Sequence, residues 1–245
     1  MERSRELSPR FMGRMVLAGY LVLTLAGFDL FYVLKKMVVR DDAAATAANI
    51  LAHQGLFLAG FAVALLGAAA YLVVTAFLYR LFEPVERTLS LTAALFSLTG
   101  CVIQAVALTL HLAPLVVLGD QAYLSAIPLA QRQALALMSM LTYARAYNIS
   151  LVFFAFYLLQ LGYLTIRSTF LPHWLGWVVF LCAGWLVFLY PPLAAAVLKY
   201  VVFSSIGELL LVLWLGLKGV DEERWHEQAA AAGLGPRLMA REARA

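Results

Sequence analysis

Six nearly uninterrupted apolar stretches, at residues 15–34, 56–79, 88–112, 146–166, 174–189 and 197–217, divide this chain. Each lies close to the roughly 20 residues that carry a helix across the hydrocarbon of a bilayer, the fifth being the shortest. Strands of a membrane barrel would alternate polar and apolar residues, and these stretches do not. Composition agrees, with 64% apolar and 13% charged residues; soluble domains carry charge nearer about a quarter. The expected fold is all-α: a polytopic helical membrane protein with six transmembrane helices within 15–218, an N-tail at 1–14 and a C-tail at 219–245.

Orientation follows from the basic residues. With the N-terminus inside, twelve Lys and Arg fall on the inner side and six on the outer. That bias places both termini in the cytoplasm of a cell membrane. Arg3, Arg5, Arg10 and Arg14 resemble the leader of a signal peptide, but the apolar run after them exceeds the roughly 7–15 residues of such a peptide. Lys35 and Lys36 then stand where a cleavage site would need small residues, so a retained first span is expected.

The inner connectors are tight and alike: Arg80-Leu-Phe-Glu-Pro84, and Arg167-Ser-Thr-Phe-Leu-Pro172. Each ends a helix with Arg, supplies an interfacial Phe and opens the next helix with Pro. The outer connectors are longer and helix-prone. Asp42 is placed to cap a helix at 43–53, and Ser125 and Pro128 to open one running through 131–140 into the fourth span. Pro191-Pro192 shortens the last outer turn. Gly60, Ala64 and Ala68, four residues apart, let a neighbouring helix approach closely, which reads as internal packing. The C-tail is polar and Ala-rich and is expected to be a solvated or frayed segment, with a surface-lying helix as the lesser alternative.

Polar residues within apolar spans are costly and therefore informative. Glu208 is the one formal charge in 200–217 and falls at the centre of the sixth span. Asp29 lies in the outer half of the first span, Gln104 and His111 in the third, and Arg145 and Asn148 at the start of the fourth. Ser97, Gln104 and His111 recur every seven residues and so share a helix face. Ser204 and Ser205 stand one turn before Glu208. Convergence of these faces would make a polar pocket open outward, with Glu208 at its floor. Each residue also has a purely structural use. Asp29 and Arg145 could pair, Lys199 could reach the interface, Gln104 and Gln160 could hydrogen-bond between helices, and a protonated Glu208 could donate without any cation partner.

Catalytic and metal chemistry lack support. Nucleotide-binding, zinc-protease and serine-hydrolase signatures are missing, and His111 has no second ligand at metal spacing. Cys101 and Cys182 sit in apolar spans without C-x-x-C spacing and read as buried thiols. No basic stripe with interleaved aromatics suggests nucleic acid. No enzyme, cofactor or metal is expected; the partners are the lipid bilayer and a small ligand or lipid. The sequence leaves the oligomeric state open.

Several segments together resemble an uncharacterised bacterial family called domain of unknown function 4386. They are Asp42-Ala-Ala-Ala-Thr-Ala-Ala-Asn-Ile-Leu, Leu78-Tyr-Arg-Leu-Phe-Glu-Pro-Val-Glu-Arg-Thr-Leu, Leu151-Val-Phe-Phe, Gly162-Tyr-Leu-Thr-Ile-Arg-Ser-Thr-Phe-Leu-Pro, Gly207-Glu-Leu and Lys218-Gly-Val. The resemblance covers about residues 10–220 and implies a six-span helical membrane protein, with no established activity. Glu208 and Arg145 match the family pattern. Tyr157 stands where that pattern often has His, and Val63 where it often has an acidic residue.

Two functions fit these residues. One is a membrane protein that binds or transports a small ligand, ion or lipid headgroup in an outward-facing pocket built from Glu208, Arg145, Gln104, His111, Asn148 and Asp29. The other is a non-catalytic assembly or regulatory partner in which the same groups only join helices. Spans with no sign of interruption argue against a coupled transporter.

Overall fold

A computed structural model describes residues 8–28 and 32–234. Every element among them is helical. In chain order these are α1 (Pro9–Phe28), α2 (Leu34–Met37), α3 (Ala43–Ala52), α4 (Gln54–Phe82), α5 (Arg87–Val117), α6 (Leu129–Arg167), α7 (His173–Val179), α8 (Pro191–Val201), α9 (Ser205–Leu217) and α10 (Glu222–Ala231). Three 3₁₀ segments, Ala122–Ala126, Phe180–Leu189 and Val202–Ser204, interrupt the series.

Among the described residues, α4, α5 and α6 are the helices long and apolar enough to cross a membrane, matching the second, third and fourth expected spans. Shorter apolar helices cover His173–Leu189 and Ser205–Leu217. The fifth expected span combines α7 with a ten-residue 3₁₀ stretch. A 3₁₀ helix rises about 2.0 Å per residue against about 1.5 Å for an α-helix. Seventeen residues so divided reach roughly 30 Å, the thickness of the hydrocarbon layer.

The sixth expected span departs from its sequence expectation. It is not one helix but α8, a 3₁₀ turn at Val202–Ser204, and α9. Glu208 therefore stands in the first turn of α9 rather than at the middle of a continuous helix. The tightened segments in the fifth and sixth spans also remove the premise that no helix is interrupted. Hydropathy gives no warning of either, since α and 3₁₀ turns bury the same apolar residues.

The chain divides into two compact units. Among the described residues, one comprises 8–20, Leu72–Gly100 and 151–234. Its interior holds Leu81, Phe82, Leu158, Leu161, Leu164, Leu175, Leu211 and Leu215. Gly162 and Gly176 let α6 and α7 approach until a Cβ on either would press on the other's carbonyl oxygen. The C-tail is not merely solvated, contrary to expectation. Asp221 caps α10 by accepting from the Arg224 backbone N–H, and Trp225 and Ala229 are buried. The side chain of Gln228 accepts from Thr169 in the connector after α6.

The other unit comprises Leu21–Tyr71 and Cys101–Ser150. Its core gathers Val33, Met37, Ile50, Phe57, Leu108, Met140 and Tyr143. The Asp42 carboxylate caps α3 as expected, accepting from Ala45 N–H at 2.8 Å. Thr46 closes the preceding turn through Val39, bonding both its N–H and its carbonyl. Pro128 precedes α6, which runs unbroken through Met140 into the fourth span. Gly60 and Ala68 are buried and Ala64 packs on the core, so the small-residue stripe is used inside the chain.

Candidate functional site

Glu208 is 5% exposed. Its environment comes from two tightened segments that pack on each other and on the start of α9. The 3₁₀ stretch Phe180–Leu189 supplies Cys182, whose fully buried thiol lies against the Glu208 main chain. It also supplies Gly184, where any Cβ would strike the Ser204 hydroxyl. Gly207 rests on the Val178 carbonyl and Val179 Cα, so this first turn of α9 meets α7 backbone to backbone. Tyr20 on α1 donates its O–H to Glu208 Oε2 at 3.5 Å. Ser204, 6% exposed, stands one turn before the carboxylate.

The chemistry follows from position. Glu208 stands in the first turn of α9, but Ser204 before it is itself αR (φ −64, ψ −22) and ends the 3₁₀ turn, so the winding changes there without baring a free helix start. The buried carboxylate thus has the Tyr20 hydroxyl as a polar neighbour and a main-chain change from 3₁₀ to α winding directly before it.

Gln104, His111, Arg145 and Asn148 belong to the other unit. His111 is fully buried on α5. Its ring lies 4.4 Å from that of Phe57 and 5.2 Å, edge to face, from Tyr143. Its Nε2 reaches the Phe57 carbonyl at 3.4 Å. Gln104 and Asn148 are half-buried and Arg145 is exposed. Asp29, and with it the suggested Asp29–Arg145 pair, lies outside the described residues, as does the Lys199 side chain. Two other polar pairs join helices. Thr92 donates to Gln160 at 2.8 Å, the interhelical use expected for Gln160, and the Ser97 and Thr75 hydroxyls share a bond of 2.6 Å.

Sequence reading took Cys182 as a buried thiol, which it is, but did not bring it, Tyr20, Gly184 or Gly207 together around Glu208. A tyrosine in an apolar span and a lone buried thiol have no periodic signature. Only the fold brings them to Glu208. Among the described residues, no three His, Cys, Asp or Glu side chains gather as a metal site would require.

The family described as Domain of unknown function (DUF4386) matches residues 8–219. No curated protein and no solved structure matches the chain.

Proposed function

We propose that this chain, which belongs to the domain of unknown function 4386 family, is an integral membrane protein that binds or transports a small ligand, ion or lipid headgroup at Glu208. The observation that carries the reading is a buried carboxylate in the first turn of α9, directly after a 3₁₀ interruption. Ionisable groups inside membrane spans mark ligand or ion paths by default, and a 3₁₀ stretch within a helix often marks a hinge. In this reading both termini are cytoplasmic, the chain sits in the cell membrane, and the ligand approaches Glu208 from the outer side past Ser204. Tyr20 orients the carboxylate. No bond-making step is assigned to any residue.

The test is Glu208→Gln in the purified full-length chain, which keeps size and hydrogen bonding but removes the charge. Native mass spectrometry of the wild type should show a retained small molecule or lipid, and proteoliposomes should take up the matching solute. The variant should lose both while melting within a few degrees of the wild type. Equal retention by the two proteins would sink the reading.

A second reading, a non-catalytic assembly or regulatory partner, draws on His111 and Gln160, both engaged within the fold. It expects a stoichiometric protein partner in mild-detergent extracts and no change in that partner on Glu208→Gln.

A further inference from the structure

Away from Glu208, a cavity of about 580 Å³ opens where the start of α1, the connector from α6 to α7, and the turn from α9 into α10 come together. Arg10, Lys218 and Arg224 line it, against one carboxylate, Asp221. That carboxylate is already committed, since it caps α10 and pairs with Arg224 at 3.5 Å. The Arg10 contact with Glu222 is long, at 4.0 Å, on a side chain 60% exposed, and such pairs contribute little. Arg224 is held at the cavity by Asp221 and by the Thr169 carbonyl, to which its Nη1 donates at 3.4 Å, and exposed pairs of this kind exchange readily for an incoming anion.

Apart from Thr169, the remaining lining is apolar. Phe170 and Leu171 are buried at the back, and Trp214 stands in the wall with its ring edge to face against Trp174, 5.7 Å away. Tryptophans of this kind gather at the boundary between hydrocarbon and headgroups. The helix ends agree: α6 stops at Arg167, α7 starts at His173 and α9 stops at Leu217. Gly219 has φ +80, a left-handed turn that carries the chain off α9 over the mouth of the cavity. A side chain there would be strained and would touch the Arg10 stem.

We propose that this cavity binds the phosphate of an anionic phospholipid headgroup, with Arg10, Lys218 and Arg224 as its ligands and Trp214 marking the level of the acyl-chain junction. Basic pockets between membrane helices take such headgroups, and the volume accommodates a phosphoglycerol unit. A free phosphate shares the chemistry but not the need for an interfacial tryptophan.

The experiment uses the full-length chain in neutral detergent. Native mass spectrometry follows titration with phosphatidylglycerol and, separately, phosphatidylcholine. The wild type should retain phosphatidylglycerol in clear preference. Lys218→Gln and Arg224→Gln should each weaken it roughly five-fold, in keeping with the usual contribution of one cation near an anionic lipid. Arg87→Gln, which removes a comparably exposed cation outside the cavity, should leave it unchanged. Inorganic phosphate at millimolar concentration separates the sources. Failure to displace the lipid supports a headgroup site, and displacement supports phosphate recognition without the lipid. Equal retention of the two lipids by the wild type, or equal phosphatidylglycerol retention by wild type and both cavity variants, overturns the proposal.

Discussion

The indole N–H of Trp225 donates to the backbone carbonyl of Leu81 at 2.9 Å, and both residues are buried. Leu81 lies in the last turn of α4, where carbonyls have no intrahelical donor left. A side chain from α10 thus caps the end of α4 across 144 positions of sequence. Trp225→Phe keeps most of the apolar contact and leaves that carbonyl without its donor. The expected loss is about 1–3 kcal/mol, the cost of a buried unsatisfied polar group. Trypsin should also cut faster at Arg224 as α10 loosens. Wild-type cleavage rates in the variant would show that the bond does not hold the tail.

The legibility of this chain divides along the reach of each signal. Asp42 as a cap and Pro128 before α6 were readable because each is a local preference acting within a few residues. By contrast, α4 runs past Arg80 to Phe82 and α5 starts only at Arg87, three residues beyond the Pro84 expected to open it. The docking of α10 was not readable, because one tryptophan among charges has no periodicity and its partner is remote. Glu208 was legible as the one charge in its apolar stretch, but its place in the first turn of α9 rather than mid-helix was not. Hydropathy records how apolar a segment is and carries no trace of a change from α to 3₁₀ winding. The polar stripe of Ser97, Gln104 and His111 was real as periodicity, yet Ser97 and His111 each have a partner fixed by tertiary packing.

Gly207 and Gly55 should respond oppositely to the same methyl group. At Gly207 a Cβ would press on the Val178 carbonyl and lie 2.8 Å from Val179 Cα, both main-chain atoms that cannot swing aside. Gly207→Ala should cost about 1–3 kcal/mol as overpacking and push α9 off α7, displacing Glu208. At Gly55, in the first turn of α4, nothing lies within 4 Å. Gly55→Ala should be neutral or stabilise by up to about 1 kcal/mol, from helix propensity alone. Thermal unfolding in one detergent checks the pair, and matching shifts for the two would contradict the backbone contact.

Thr75 and Ser97 join α4 to α5 through hydroxyls 2.6 Å apart, with both residues buried. Thr75→Val and Ser97→Ala should each destabilise, while the double variant should lose less than the two together. The coupling expected is about 0.5–1.5 kcal/mol, the net worth of such a bond. Strict additivity in denaturation of the four proteins would mean that the hydroxyls contribute independently.

Arg132 shows how a charge that seems only topogenic in sequence can be structural. Its Nε donates to the Val117 carbonyl at 2.6 Å, and its Nη2 donates to the Gly119 carbonyl. Val117 ends α5, so the guanidinium bonds a carbonyl that the helix cannot satisfy and places positive charge at the negative end of its dipole. The two acceptors are two residues apart, a spacing that suits the planar fork of Arg. The single ammonium of Lys is a compact point charge without that fixed geometry. Arg132→Lys should therefore lose about 1 kcal/mol, and Arg132→Met more, about 1.5–3 kcal/mol, since hydrogen bonds to charged groups lie in that range. Hydrogen exchange gives the local readout. In Arg132→Met, amides at 117–127 should exchange faster while those in the middle of α4 stay protected. If Lys protected the segment as well as Arg does, charge alone would suffice and the two-point clamp would be the wrong account.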